Sequence, residues 1–463
     1  MSAVAEKAGV PTASLVSQGF IGQAKTTSFG LGLPDLGVAL VPGHPDVQSS
    51  EELEHNVKSV TLERVIHCLT SAQQGMETVA EPAPRGVVFE GTLDEVNRYF
   101  YENLWTDGVP VVPPTLERIE AFLAFTDRDP DEVLGTMLPE NRAATIWNIS
   151  VNGVMAGCRP EYMPVLVALV EAMADPQYGV EHSGNTPGAE TQIVVDGRII
   201  KELGFNYEQG ALRDGFQANT SIGRFWRLYL CNVAGFQRHQ NDKATFGGTW
   251  HVAMAENEDV LAEIKWPSLC AGMGLDAGEN GVFVSRFTGA HVIVSVYGST
   301  AAECLPYLTD AVIKHTGWEL CFTIGMSTGT YKPLLVLSPI IARTIAKSGL
   351  TKADVQKHLF EHARIPARQF EKYISGYTNI VPGRRSLYDM VMLGKAPKVF
   401  GASRDPERLV PIVIRPEDFM IAVSGDPLRT NCYFFSHNGM LGFPTAKPVK
   451  LPQDWRAKLR AAG

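Results

Sequence analysis

The sequence predicts an α/β chain in two unequal parts: a short N-terminal half of a doubly wound domain, and a large mixed α/β (α+β) domain. Three observations point there. Residues 1–71 alternate strand-like and helix-like stretches, the pattern of parallel βαβ packing. The length, 463 residues, suits two or three domains, and 45% hydrophobic with 20% charged residues is ordinary globular composition. Finally, Met163 to Ala174 reads as a helix whose only charge is Glu171, so little of it can face water.

In chain order, strands are expected at Thr12–Val16 and Gly37–Pro42, with a helix over Phe20–Leu31 between them. A second helix follows over Ser50–Leu69, with Ser50 as N-cap and Glu51, Glu52 and Glu54 in its first turns. Two strands and two helices make half a domain, so residues 1–71 need completion from elsewhere. Residues 72–86 are polar and proline-bearing and read as a linker. Residues 87–463 form the large domain, with a division into two lobes expected near 240–330. Its first elements are a strand at Val87–Glu90 and a helix over Leu93–Leu104, opened by a Thr92/Glu95 capping box. Trp105 to Thr115 holds three prolines and an Asp-Gly turn, which make it extended and rigid.

The buried helix follows a small-residue turn. Pro160 and Pro164 fit only near its first turn, which places Cys158 and Arg159 at its N-terminus. Amides and dipole there favour a thiolate or an anion. The alternative is that Cys158 is a small core residue beside a tight turn. Downstream come a glycine-rich loop at Gly179–Glu190, a strand at Thr191–Val195 and a helix over Thr220–Val233. Thr249–Glu256 reads as a strand, and Gly281–Tyr297 as two strands around Thr288-Gly289. Helices are expected at Cys304–His315, Ile340–Ser348 and Lys352–Ala363, and strands at Lys332–Leu337, Val410–Ile414 and Phe419–Val423. Gly425–Phe443 reads as a loop region.

A net charge of -9 without a basic run argues against nucleic acid or an anionic membrane as partner. The seven cysteines are dispersed without metal-type pairing, which suggests a reducing compartment. The N-terminus lacks signal-peptide character, and no apolar run is long enough for a bilayer. The expectation is a cytoplasmic protein.

Several motifs bear on chemistry. Gly325-Met-Ser327-Thr-Gly329 has the letters of a nucleophile elbow, but a strand-like run follows it where that device needs a helix. His358 and His362 flank Glu361 as in H-x-x-E-H and share a helix face; a zinc site there, or one using His251, needs a further ligand. Glu256 and Glu258 would share one face of a strand end, where close carboxylates hold a raised pKa or a divalent cation; a solvated strand end is the alternative. Arg224, on a helix after Asn219, could hold an anion together with Arg159 or pair with structural carboxylates.

Four stretches resemble a known family: DGVPVVPPT (107–115), NGVMAGCRPEYMPV (152–165), ANTSIGRFWRLYLCNVAG (218–235) and ATFGGTWHVAMAENE (244–258). They are similar to the large protein that accompanies UGSC-type selenoproteins. EKAGVPTASLVSQGF with GLGLPDLGVALVPGHP is similar to the C-terminal part of the UGSC domain itself. The resemblance implies a truncated, flavodoxin-like half-domain that lacks the Sec/Cys-Gly-Ser-Cys turn, with a small companion subunit supplying the missing strand and nucleophile. The function expected is that of a subunit of a heteromeric, oligomeric enzyme. It would act on a small anionic molecule by thiol-dependent chemistry, either reductive cleavage or lyase type. Cys158, Glu256 and Glu258 are the candidate catalytic groups. Arg159, Arg224, Asn152, Asn219 and Thr115 are the candidate substrate contacts. A metal-dependent hydrolase or hydratase and a non-catalytic scaffold are the other readings.

Overall fold

The computed structural model describes residues 1–71, 85–248, 252–377 and 386–462. The linker residues 72–84 and His251 lie outside the described residues.

The N-terminal unit is one βαβ turn with a second helix. Strands β1 (Ser14–Ser17) and β2 (Val38–Val41) pair in parallel, Leu15 opposite Ala39. The crossover is the helix Ile21–Gly30. No other described strand pairs with either member. The second helix begins at Ser50, and its N-cap is Ser49, one residue earlier than expected. Ser49 Oγ accepts from Glu52 N while the Glu52 carboxylate accepts from Ser49 N, so four orphan amides at the helix start lose two. This helix runs to Thr70 through a π turn at Val57–Thr61. Gly22 and Gly30 set the unit against the rest of the chain: with no Cβ, they approach the backbone of Gln240 and Pro139.

The large part begins with the capped helix Leu93–Glu102. Val87–Glu90 is unpaired rather than a strand. A hairpin of β3 (Val133–Met137) and β4 (Arg142–Thr145) was not expected; its alanines and glycine carry little strand signal. The helices Leu116–Leu123 and Ile146–Met155 flank it. The helix Met163–Ala174 is buried as its composition demands, with only Glu171 and Ala174 partly exposed; Glu171 reaches Arg128 at 2.6 Å.

The centre is a mixed sheet of β5 (Glu190–Asp196), β6 (Met254–Ala255), β7 (Gly281–Ile293), β8 (Leu334–Leu337), β11 (Met420–Val423), β12 (Cys432–His437) and β13 (Thr445–Pro448); β9 (Arg364–Pro366) and β10 (Leu409–Pro411) form a separate pair. The sheet order is β11-β8-β12-β7-β5-β6, with β13 also on β7. Three expectations are corrected here. Gly281–Ile293 is one long strand, whose first half pairs β5 and whose second half pairs β12. Of Thr249–Glu256, residues 249–251 lie outside the described residues, and among the described ones the strand is Met254–Ala255. The expected loop 425–443 contains β12, a central strand.

Strand alternation explains the core. Val194, Met254, Phe283, Phe287, Leu334, Val336, Met420, Ala422 and Phe435 share one face and one apolar cluster. The other face divides: Ile193, Val195, Ala255 and Val284 pack under the helices of residues 116–234, while Leu335, Leu337, Ile421 and Phe434 pack under those of residues 301–392. The sheet curls around the first cluster until its outer strands nearly meet. Asn257 N donates to Val423 O at 2.7 Å and Val423 N donates to Glu256 Oε1 at 2.9 Å. No described helix is long and apolar enough to cross a membrane.

Candidate functional site

The proline segment 105–115 divides two cavities. On one side is a cleft of about 870 Å³. Four stretches far apart in sequence meet there. Asp107 and Val109 come from the proline segment, and Ser183, Gly188 and Glu190 from the glycine-rich loop. Thr220, Arg224, Arg227 and Cys231 come from the helix Gln217–Tyr229 and the π turn Leu230–Ala234 that extends it. Phe246, Gly247 and Val252 close the far side. The spacing 220, 224, 227, 231 is one helical face, so the periodicity that buries Phe225, Trp226 and Tyr229 also turns these polar residues outward together.

The charges in the cleft are ordered. Arg224 forks onto Asp107, Nε at 2.8 Å and Nη2 at 2.9 Å, and its Nη2 also reaches Pro110 O at 2.8 Å. Arg227 lies 3.1 Å from Asp242 and 3.6 Å from Glu190. Arg238 instead stacks over Tyr101 at 4.8 Å and has no carboxylate partner among the described residues. Cys231 donates its S–H to Leu104 O at 3.1 Å. Burial pushes that thiol up to about 11, against the pull of Arg227 and Arg238 and with a further push from Asp107 and Asp242.

The expected site residues do not assemble in one place. Arg224 lines the cleft, but as a ligand of Asp107. Cys158 is 8% exposed and opens on neither cavity. Its backbone N–H is taken by Gly153 O, because Gly157, at φ 76°, caps the preceding helix. This setting is that of the alternative left open by the sequence, a small core residue beside a tight turn. Desolvation lifts the thiol to about 12, and a bond with Ser221 and the charge of Arg224 do not offset it. Arg159 pairs with Glu161 at 2.8 Å and leans on Tyr162. Asn219 is tied to backbone on all sides: Nδ2 to Asn206 O and Ala253 O, Oδ1 from Asn206 N. Asn152 and Thr115 line the second cavity.

Glu256 and Glu258 do not form a paired strand end. Glu256 is fully buried, and its carboxylate accepts from Leu269 N at 2.7 Å and Val423 N at 2.9 Å. Burial and the adjacent Asp196 hold it well above the usual carboxylate range. Glu258 begins the helix Glu258–Ile264 and accepts from Gly197 N at 2.6 Å. His358 and His362 do share a helix face, ring centroids 4.3 Å apart, yet the described residues contain no group of three metal-type ligands. Ser327 follows a short helix, Leu320–Thr323, where an elbow needs a strand, so neither flank of that motif fits one.

Sequence reasoning passed over Cys231, Arg227 and Arg238. For two of them the signal was available: Arg227 and Cys231 stand at helical spacing after Thr220, in a stretch already marked by its family resemblance, whereas Arg238 lies beyond the turn at Gly235. The model of the UGSC family matches residues 2–71, so the N-terminal unit is similar to a UGSC-type domain. No curated protein matches the chain.

Proposed function

We propose that this chain is a cytoplasmic subunit of a heteromeric enzyme that acts on a small anionic molecule by thiol-dependent chemistry, of the reductive-cleavage or lyase class, and that the cleft at Cys231 is where it does so. One observation supports this most: of the seven cysteines, Cys231 is the one found in a described cavity, between Arg227 and Arg238. Arg238, without a carboxylate partner among the described residues, is the cation for the substrate's anionic group. Arg224 is a positioning residue: it holds the proline wall through Asp107. At rest Cys231 is a thiol, so turnover requires its proton to leave. Asp242, whose charge acts on Cys231 and whose ion pair with Arg227 keeps it close, is the acceptor in this reading.

The N-terminal unit supports the heteromeric part of the reading. A two-stranded parallel sheet does not stand alone, and Leu15 (65% exposed), Phe29 (61%) and Ile66 (54%) lie open on this unit. A small companion chain adding a strand would cover them. The same observation favours a second reading, a non-catalytic scaffold.

The test is Cys231→Ser beside Cys158→Ser in the complex purified with its companions. Turnover should fall by roughly 100-fold or more in the first and stay within about threefold in the second. Unchanged turnover in Cys231→Ser would leave the scaffold reading.

A further inference from the structure

Behind the proline wall lies the second cavity, of about 1190 Å³. Its walls are Phe89, Phe100, Trp105, Trp147, Val151 and Met155. The rings are held in set orientations. Trp105 meets Phe100 edge-on at 5.4 Å, and Phe89 stacks on Tyr99 at 4.6 Å. Walls of this kind give water few partners and give an aromatic body stacking and edge contacts.

Two amides, Asn152 and Asn232, also line the cavity, bonded to each other at 2.9 Å, while the charged groups stand nearer its opening and are not equivalent. Arg85 pairs with Asp131 and lies 4.5 Å over Trp147. Arg142 pairs with Glu140 at 2.6 Å. Arg118 is bonded only to Pro113 O, at 2.9 Å, and has no carboxylate partner among the described residues. That bond keeps its guanidinium beside the opening. Glu90 and Glu117 also reach the rim, but both are exposed and no bond among the described residues turns them inward. The cavity therefore offers an aromatic slot with one uncommitted cation above it.

We infer that this cavity is a second binding site, for an aromatic anion: its rings lie against Trp105, Trp147 and Phe100, and its carboxylate, sulfonate or phosphate sits on Arg118. The inference is independent of the thiol chemistry, since it concerns binding on the far side of the wall.

The full chain is titrated with 8-anilinonaphthalene-1-sulfonate, read by fluorescence, and with N-phenyl-1-naphthylamine, which has the same rings without the anion. The sulfonate should bind saturably. Arg118→Ala should weaken it about tenfold, the size of one charge-assisted hydrogen bond, and leave the neutral amine unchanged. Val151→Trp fills the slot and should weaken both probes about tenfold or more. Circular dichroism checks that this variant folds, and Arg118→Ala, at an exposed position, decides the matter if it does not. Sulfonate affinity unchanged in Arg118→Ala, or unchanged for both probes in folded Val151→Trp, overturns the inference.

Discussion

Two sheets in this molecule end in strands with a free side, and they are finished in different ways. The large sheet curls until β6 and β11 approach, and the Glu256 carboxylate takes the Val423 amide across the gap. The β1–β2 pair has no such device: both its sides stay free among the described residues, and apolar side chains stay in water around it. The difference follows from chain length. Thirteen residues of β7 can bend to serve two half-sheets, whereas a single βαβ turn has no strand left with which to close. The first sheet is joined at its outer strands, and the second has two strands and two free sides among the described residues.

The comparison can be broken at its strongest point first. Glu256→Ala removes the acceptor of two buried amides, and folding stability should drop by roughly 3 kcal/mol or more, measured by urea unfolding of the full chain. A drop below about 1 kcal/mol would mean the large sheet closes without this carboxylate. Gly30→Ala comes next. A methyl there meets the Pro139 carbonyl, so the N-terminal unit must shift, at a cost of about 1–3 kcal/mol. Hydrogen exchange should quicken across residues 1–71 while the large part keeps its protection; equal protection throughout would show the unit does not need that close approach.

The pH response sharpens the same contrast. Burial, then Asp196, raises the folded-state pKa of Glu256 above its ordinary 4.5. The folded chain then binds the proton more tightly than the unfolded one, so this contribution is fully present below pH 4.5 and is lost as pH rises through the folded value. Unfolding curves across that window should decline with pH in the parent and less steeply in Glu256→Gln. Parallel slopes would remove Glu256 as the source. The smallest effect belongs to the open unit. Ile66→Lys, at an exposed position, should change stability by no more than about 0.5 kcal/mol. It should lower recovery of a companion chain on co-purification; undiminished recovery would place the docking face elsewhere.

What was legible in the sequence was local. The Thr92/Glu95 capping box, the buried helix Met163–Ala174 and the βαβ start of the chain depend on residues a few positions apart, and all are found. What failed depended on distant neighbours. The Cys432–His437 strand lies among glycine, proline and asparagine, and its strand form is imposed by β7 and β8 on either side. Cys158 stands at a helix start, as expected, but the favourable terminus is outweighed by desolvation, and desolvation is set by what packs on top. Cys231 shows the converse. Its helix was anticipated, but its exposure to a cleft depends on a glycine-rich loop and a proline segment more than forty and a hundred residues away, as sequence numbering shows. The proline segment was the most useful reading, because rigidity there is a property of the residues themselves.

Closure of the large sheet through one carboxylate and a single backbone bond has a kinetic corollary. A ladder of amide bonds must break many times to open; a joint made by a carboxylate and the few amides around Val423 and Asn257 opens with far less. Thermal fluctuations of this fold should therefore begin along that seam, between the ends of β6 and β11, and spread from there into the two helical layers separately.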